Sequence, residues 1–134
     1  MGYVVCSCVI SEAIKWVSWP GDRINVVLGI NNTNVKLEWT WDLEDSTFRY
    51  IIFERQRPGE TKSTQFASRD GASGFFVIFK FVDEYNAERP AILTLKNVDN
   101  NEEYIYTAYL SYLSPSSVVR RIINQVTVVV HGKK

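Results

Sequence analysis

Few side chains in this sequence have the chemistry of a catalytic or metal-binding site. The chain of 134 residues has one histidine, His131, near its end and two cysteines, Cys6 and Cys8, near its start. A zinc site or a Cys–His catalytic pair would have to join these distant positions. The acidic pairs at 83–84 and 102–103 consist of neighbours, which point to opposite faces of a strand and so form no carboxylate dyad. We therefore expect no enzyme and no metal or other cofactor.

The charge and composition indicate what kind of element carries the remaining residues. Fifteen basic residues balance fifteen acidic ones, so the net charge is zero and the chain lacks the basic excess that favours nucleic-acid binding. The 16 Val, 11 Ile and 8 Thr outnumber the 7 Leu and 6 Ala. Because β-branched side chains fit a pleated sheet better than a helix, this composition favours strands. The length suits a single domain over residues 1–134.

Short apolar runs separated by turn residues predict an all-β domain. Residues 35–41 alternate between apolar and polar side chains, which is typical of a half-buried strand. The runs that we expect to form strands are 24–28, 35–41, 50–55, 64–67, 75–82, 91–95, 104–113 and 126–130. Strands at this spacing favour an antiparallel sandwich or barrel.

The start of the chain allows two interpretations. Residues 1–13 form either a first strand over 4–10 or the remnant of a secretory signal, because a small-residue pattern follows the apolar run without a basic segment before it. On a strand, Cys6 and Cys8 would share one face, where a disulfide between them closes with difficulty. We therefore expect free thiols or an intermolecular bond.

Five stretches carry the landmarks of a known family. They are residues 35–39 (VKLEW), 53–60 (FERQRPGE), 93–98 (LTLKNV), 102–108 (EEYIYTA) and 125–130 (QVTVVV). In order, they resemble strands B, C, E, F and G of an immunoglobulin V-type domain. The resemblance covers nearly the whole chain, with a core from about residue 20 to 131, and implies an immunoglobulin-like (V-set-like) antiparallel β-sandwich.

The sequence departs from the family at its crosslink. Trp39 and Ala108 stand where the V-type domain has its two disulfide cysteines, and Phe53 replaces the strand C tryptophan. One large and one small side chain can fill the space of a disulfide, because cores tolerate volume-conserving exchanges. Tyr106 takes the place of the tyrosine corner, whose hydroxyl bonds to the backbone of the turn before strand F.

The resemblance also implies a salt bridge beneath the turn between strands E and F. Glu102 would supply the carboxylate, because it stands at the usual aspartate. Lys80 would supply the base, since it begins the K-F-V run that leads into strand D, and Arg69 is the alternative. Such a pair fixes geometry more than it adds stability.

Period-two alternation assigns an outward face to strands C and F. Phe53 and Ala108 point inward, so their immediate neighbours point outward. The outward residues are Ile52, Glu54 and Gln56 on strand C and Thr107, Tyr109 and Ser111 on strand F. Exposed apolar and aromatic side chains are typical of a protein interface, although a twisted sheet also exposes some apolar residues by itself.

The family resemblance gives this face a partner. The G-F-C-C′ face is the usual pairing surface of V-type domains, and Gln56 matches the strand C glutamine that bonds its symmetry mate across a two-fold axis. We therefore expect the chain to bind a copy of itself. The glycosylation sequon at Asn31 fits an extracellular domain, which we expect to be tethered to a membrane by regions outside this chain.

A narrower resemblance follows from the missing cysteines together with Tyr106 and the Asn-Val turn at 97–98. These features are similar to the membrane-distal domains of hydroid (cnidarian) allorecognition receptors. That resemblance implies homophilic recognition at the cell surface. A heterophilic receptor domain, a structural module without a partner and a small carbohydrate- or ligand-binding sandwich are the alternatives.

Overall fold

A computed structural model describes residues 14–27, 34–96, 98 and 103–131. Nearly all regular structure in these ranges is β-strand. The strands are β1 (Lys15–Ser18), β2 (Arg23–Val27), β3 (Val35–Glu38), β4 (Thr40–Asp42), β5 (Thr47–Gln56), β6 (Thr64–Asp70), β7 (Phe76–Val77), β8 (Tyr85–Glu88), β9 (Ile92–Leu95), β10 (Glu103–Leu113) and β11 (Val119–His131). A 3₁₀ turn at Phe79–Phe81 lies between β7 and β8.

The strands form two layers. One layer is a six-stranded sheet in the order β2-β11-β10-β5-β6-β7, and the other contains the β3-β9-β8 sheet and the β1-β4 pair. Every pairing is antiparallel except β2 with β11, which is parallel. The strands β6 and β7 extend the sheet beyond β5, as strands C′ and C″ do in a V-type domain. The predicted immunoglobulin-like β-sandwich is therefore confirmed.

Alternation along the strands builds the core between the layers. On β10, the inward residues Tyr104, Tyr106, Ala108 and Leu110 are buried. The predicted strand B divides at Trp39, whose backbone nitrogen donates to the carbonyl of Ala91. Before this residue the chain pairs with β9, and after it the chain pairs with β1. A single buried indole thus lies at the junction of both parts of the second layer.

The single long strand predicted for residues 75–82 is wrong. The strand ends at Val77, one further backbone bond runs from the nitrogen of Ile78 to the carbonyl of Phe66, and the chain then turns into the 3₁₀ segment. The strand β8 (Tyr85–Glu88) follows; the sequence analysis expected the K-F-V run to lead into strand D but assigned no strand to these residues. Its outward positions, Asn86 and Glu88, are polar, and the strand is too short for a clear alternation.

Several predictions concern residues outside the described ranges. They are the first strand or signal remnant at 1–13 with Cys6 and Cys8, the sequon at Asn31, and the carboxylate of Glu102. The first described strand, β1, begins at Lys15, ahead of the core boundary expected near residue 20. Among the described residues, no helix has the length and apolar character needed to cross a membrane.

Candidate recognition face

The six residues predicted to form an interface lie on one side of the six-stranded sheet. Ile52 pairs with Tyr109 and Glu54 pairs with Thr107 across β5 and β10, while the inward neighbour Ala108 pairs with Phe53. We call this outward surface of the six-stranded sheet the outer face. Within the set of six, Ser111 and Gln56 lie at the two ends along the strands. Ser111 is opposite Tyr50, and Gln56 is opposite Ile105.

A row of side chains crosses the middle of the outer face. The strand registers align Phe76, Ser68, Ile52, Tyr109 and Ile123, one from each of β7, β6, β5, β10 and β11. We call these five residues the central row; they span roughly 19 Å at the usual strand spacing. Phe76 is 67% exposed and Ile123 is 45% exposed. The outer face therefore presents a row of apolar and aromatic side chains, interrupted by Ser68, at right angles to its strands.

Polar rows lie on both sides of the central row. One consists of Asp70, Tyr50, Ser111 and Arg121, and the other of Gln65, Glu54, Thr107 and Gln125. An apolar centre inside a polar margin is the usual anatomy of a protein–protein interface. The outer face has this arrangement within a single sheet.

Hydrogen bonds fix the side chains of the polar rows. Ser111 and Thr107 are only 4% and 5% exposed. Arg49 Nη1 donates to Ser111 Oγ at 2.8 Å, and Gln125 Nε2 donates to Thr107 Oγ1 at 3.3 Å. The two hydroxyls therefore shape the outer face by holding their neighbours, although they offer little contact surface themselves.

Tyr109 and Gln56 differ in how they are held. The Arg121 guanidinium lies 5.8 Å from the centre of the Tyr109 ring, a cation–π distance. The side-chain amide of Gln56 donates to the carbonyl of Glu60 in the turn after β5. That nitrogen is thus engaged within its own chain, and the register places Gln56 at the end of the β5–β10 pairing, opposite Ile105.

Three adjoining depressions surround Tyr50. One of about 410 Å³ extends towards Phe76 and Ser73, one of about 240 Å³ lies between Glu54 and Arg121, and one of about 420 Å³ runs towards Arg121 and Val119. In the described ranges, no three His, Cys, Asp or Glu side chains come together as metal ligands would. The face has the relief to receive a partner's side chains.

Behind the outer face, the predicted core residues are packed together. Trp39, Phe53 and Ala108 are buried, and the rings of Trp39 and Phe53 lie 5.2 Å apart. Trp39 Nε1 donates to Asn124 Oδ1 at 2.8 Å, and Asn124 is the register partner of Ala108. The indole therefore reaches from the second layer to β11, beside the place of Ala108 on β10.

The only ion pair found among the described residues is one that the sequence analysis missed. Arg55 Nη1 lies 2.8 Å from Glu84 Oε1 and donates to the Tyr85 hydroxyl at 2.7 Å. Alternation along strand C places Arg55 on the same inward side as Phe53. Because an inward charge needs a partner, Arg55 was the signal in the sequence that an ion pair lies here. The identity of that partner depends on the turn before β8, which the sequence did not predict.

The two candidate bases for Glu102 have other contacts. Lys80 is exposed, with Nζ 5.6 Å from the ring of Phe81. Arg69 is buried and donates to the backbone carbonyls of Pro90 and Gly71 at 3.1 and 2.8 Å. Burial, together with the charge of Arg89, lowers the pKa of Arg69 from its ordinary value. The carboxylate of Glu102 lies outside the described residues, and the ion pair that these residues contain is Arg55–Glu84.

A tyrosine pair lies against this ion pair. The hydroxyl oxygens of Tyr106 and Tyr85 are 2.8 Å apart. Burial raises the pKa of Tyr106 well above its ordinary value, and burial also raises the pKa of Tyr85. Burial lowers the pKa of Arg55, but the hydrogen bonds to Glu84 and Tyr85 raise it by more. The pKa of Arg55 therefore lies above its ordinary value. The turn backbone expected to bond Tyr106 lies outside the described residues.

Comparison with known proteins bears on the fold. Neither a protein-family model nor a curated protein matches the sequence. Among solved structures, the chain is similar to murine CRIg, with a TM-score of 0.63 and 13% identity over 90% of this chain and 97% of that chain. At this identity the likeness shows architecture, which does not by itself determine function. The chain is an all-β domain with an immunoglobulin-like sandwich fold.

Proposed function

We propose that this chain is the extracellular recognition domain of a cell-surface adhesion or allorecognition receptor, and that it binds a copy of itself through the outer face. The central row carries the proposal. It places Ile52, Tyr109 and Ile123 side by side at the middle of a sheet, with polar rows on both sides. Apolar and aromatic side chains at the centre of such a surface supply most of the binding energy in protein interfaces.

The charge of the chain supports a partner of the same kind. With 15 basic and 15 acidic residues, two copies approach each other without net repulsion. The outer face also carries both positive and negative charge, since Arg121 and Asp70 lie at opposite ends of one polar row. A surface with both charges can complement itself, whereas a face of one sign would favour a partner of the opposite sign.

A heterophilic receptor domain is the second candidate. The depressions around Tyr50 favour it, because they differ in their linings and would accept side chains of a different protein. A structural module is less well supported, since Phe76 and Ile123 leave large apolar surfaces exposed on the same face. Extracellular location is part of the proposal, and glycosylation at Asn31 tests it. If the protein is secreted and glycosylated, removal of N-linked glycans should increase its electrophoretic mobility.

Aggregation of protein-coated beads tests homophilic binding. Wild-type beads should cluster, and beads carrying Tyr109→Asp should not, because the charge would be buried at the centre of the contact. Thr94→Asp, on the outward surface of the β3-β9-β8 sheet, is the matched control and should cluster like the wild type. Wild-type beads that stay dispersed contradict homophilic binding, and clustering that Tyr109→Asp leaves unchanged contradicts the use of this face.

A further inference from the structure

We propose that two copies of this chain meet face to face about a two-fold axis that runs parallel to the strands, between β5 and β10. This arrangement sets Arg121 of each copy against the partner's Asp70. The proposal rests on the proposed function, since it assumes that the outer face binds a copy of itself. It adds the direction of the axis and the charge pair that selects it.

The registers place the two charges symmetrically. Across β6, β5, β10 and β11, one polar row reads Asp70, Tyr50, Ser111 and Arg121. Asp70 and Arg121 each lie one strand outside the central β5–β10 pair, at the same height along the strands. A two-fold axis along the strands exchanges left and right between the facing copies, so β11 of one copy lies over β6 of the other.

The same axis keeps the apolar centres together. Tyr109 would lie over the partner's Ile52, and each Ile123 would lie towards the partner's Ser68 and Phe76. Ser111 would lie over the partner's Tyr50, beside the depressions that Tyr50 lines. Two equivalent ion pairs, one on each side of the axis, would thus lie beside one apolar contact, which is the self-complementary pattern of an isologous interface.

Neither charge forms an ion pair with a described residue of its own copy. Among the described residues, Arg121 has no carboxylate within ion-pair distance, and it contacts the Tyr109 ring instead. Asp70 is exposed and likewise makes no ion pair with any described residue. Covering a lone charge costs free energy unless a partner charge meets it. For Arg121 and Asp70, burial is therefore more favourable in an arrangement that brings the two charges together.

An axis perpendicular to the strands does not bring them together. It would place the first polar row over the second, with Arg121 against the partner's Gln125 and Asp70 against the partner's Gln65. Both charges would then lie in the contact opposite neutral amides. Glu54, the carboxylate of the second polar row, faces a neutral side chain with either axis, the partner's Thr107 or the partner's Tyr50. The pairing of Arg121 with Asp70 therefore favours the axis that is parallel to the strands.

Charge reversal with mixing tests the axis. In Arg121→Glu the facing residues are both acidic, and in Asp70→Arg they are both basic, so each variant should lose self-association by about tenfold or more in sedimentation equilibrium at low salt. A mixture of the two variants should recover association, because both contacts of the mixed dimer again join opposite charges. The double variant should associate with itself but not with the wild type.

Control variants and the failure outcomes separate this inference from the proposed function. Lys36→Glu and Glu38→Arg make the same charge changes on β3, outside the outer face, and should leave association unchanged. If the mixture associates no better than the single variants, the axis is wrong, while a loss of association in Tyr109→Asp would still support the outer face. If the wild type itself does not associate, both the axis and homophilic binding are overturned.

Discussion

Trp39 donates its indole hydrogen to the side-chain oxygen of Asn124 at 2.8 Å, across the two layers of the sandwich. In the registers of the six-stranded sheet, Asn124 lies directly beside Ala108. The family resemblance of the sequence assigns Trp39 and Ala108 to the two positions where V-type domains carry their crosslink. A buried hydrogen bond and an indole ring therefore connect the layers where the family resemblance would imply a disulfide.

Removing this hydrogen bond should show coupling between the two residues. Asn124→Ala leaves the buried indole nitrogen without its acceptor, so the free energy of unfolding should fall by about 1–3 kcal/mol. In a Trp39→Phe background, which lacks the donor, Asn124→Ala should cost at least about 0.5 kcal/mol less. Urea unfolding of the wild type, both single variants and the double variant measures the cycle. Additive effects would mean that the bond does not connect the layers.

Enlarging Ala108 tests the volume exchange at the crosslink positions. Ala108 is fully buried with Trp39 in one core, so Ala108→Leu should overpack it and lower the free energy of unfolding by about 1–3 kcal/mol. Thr94→Leu adds bulk on the outward surface of β9 and should change stability by less than about 0.5 kcal/mol. Denaturant unfolding compares the two variants. A neutral Ala108→Leu would show that Ala108 does not face a filled core.

The tyrosine pair should make the domain sensitive to alkaline pH. Burial raises the pKa of Tyr106 and of Tyr85 above their ordinary value of 10.0. Above about pH 10 the unfolded chain loses these protons first, so it binds fewer protons than the folded chain and stability falls as pH rises. Tyr106→Phe should make this decline shallower. Denaturant unfolding curves over a pH series measure this decline. If stability falls equally steeply with pH in the wild type and in Tyr106→Phe, the raised pKa of Tyr106 is contradicted.

Ile123 should contribute to self-association, although the sequence analysis did not select it. It is 45% exposed at the end of the central row, and Ile123→Ser removes apolar surface worth roughly a tenfold change in the dissociation constant. Val27→Ser is the control, because Val27 is 69% exposed on β2, outside the central row. Sedimentation equilibrium of both variants should show weaker association for Ile123→Ser alone. Equal effects would exclude a specific role for the central row.

The sequence predicted the sandwich because its strand landmarks are regular. The register between β5 and β10 is continuous over residues 50–56 and 105–111, so residues such as Ile52 and Tyr109 could be assigned outward by alternation once Phe53 and Ala108 were taken as inward. The fold class followed from the same alternation and from the order of the landmarks. The family resemblance added the identity of the strands and the substitution of Trp39 and Ala108 for the crosslink.

The first half of β11 escaped prediction for a physical reason. Residues 118–123 read as identical pairs (VVRRII), so apolar and polar side chains do not alternate, although the strand places the two members of each pair on opposite faces. Arg121 and Ile123 were therefore missed as parts of the outer face. Phe76 and Asp70 were missed because their rows depend on the pairing of β5, β6 and β7, which only the folded chain reveals.

Sedimentation equilibrium of the purified domain, wild type beside Tyr109→Asp, tests the central claim most directly. Tyr109 lies in the central row between Ile52 and Ile123, its register partners on the neighbouring strands. The wild type should shift from monomer to dimer as its concentration rises, and Tyr109→Asp should remain a monomer with unchanged thermal stability. A wild type that stays monomeric at every concentration, or a Tyr109→Asp variant that dimerises as well as the wild type, would contradict self-recognition through this face.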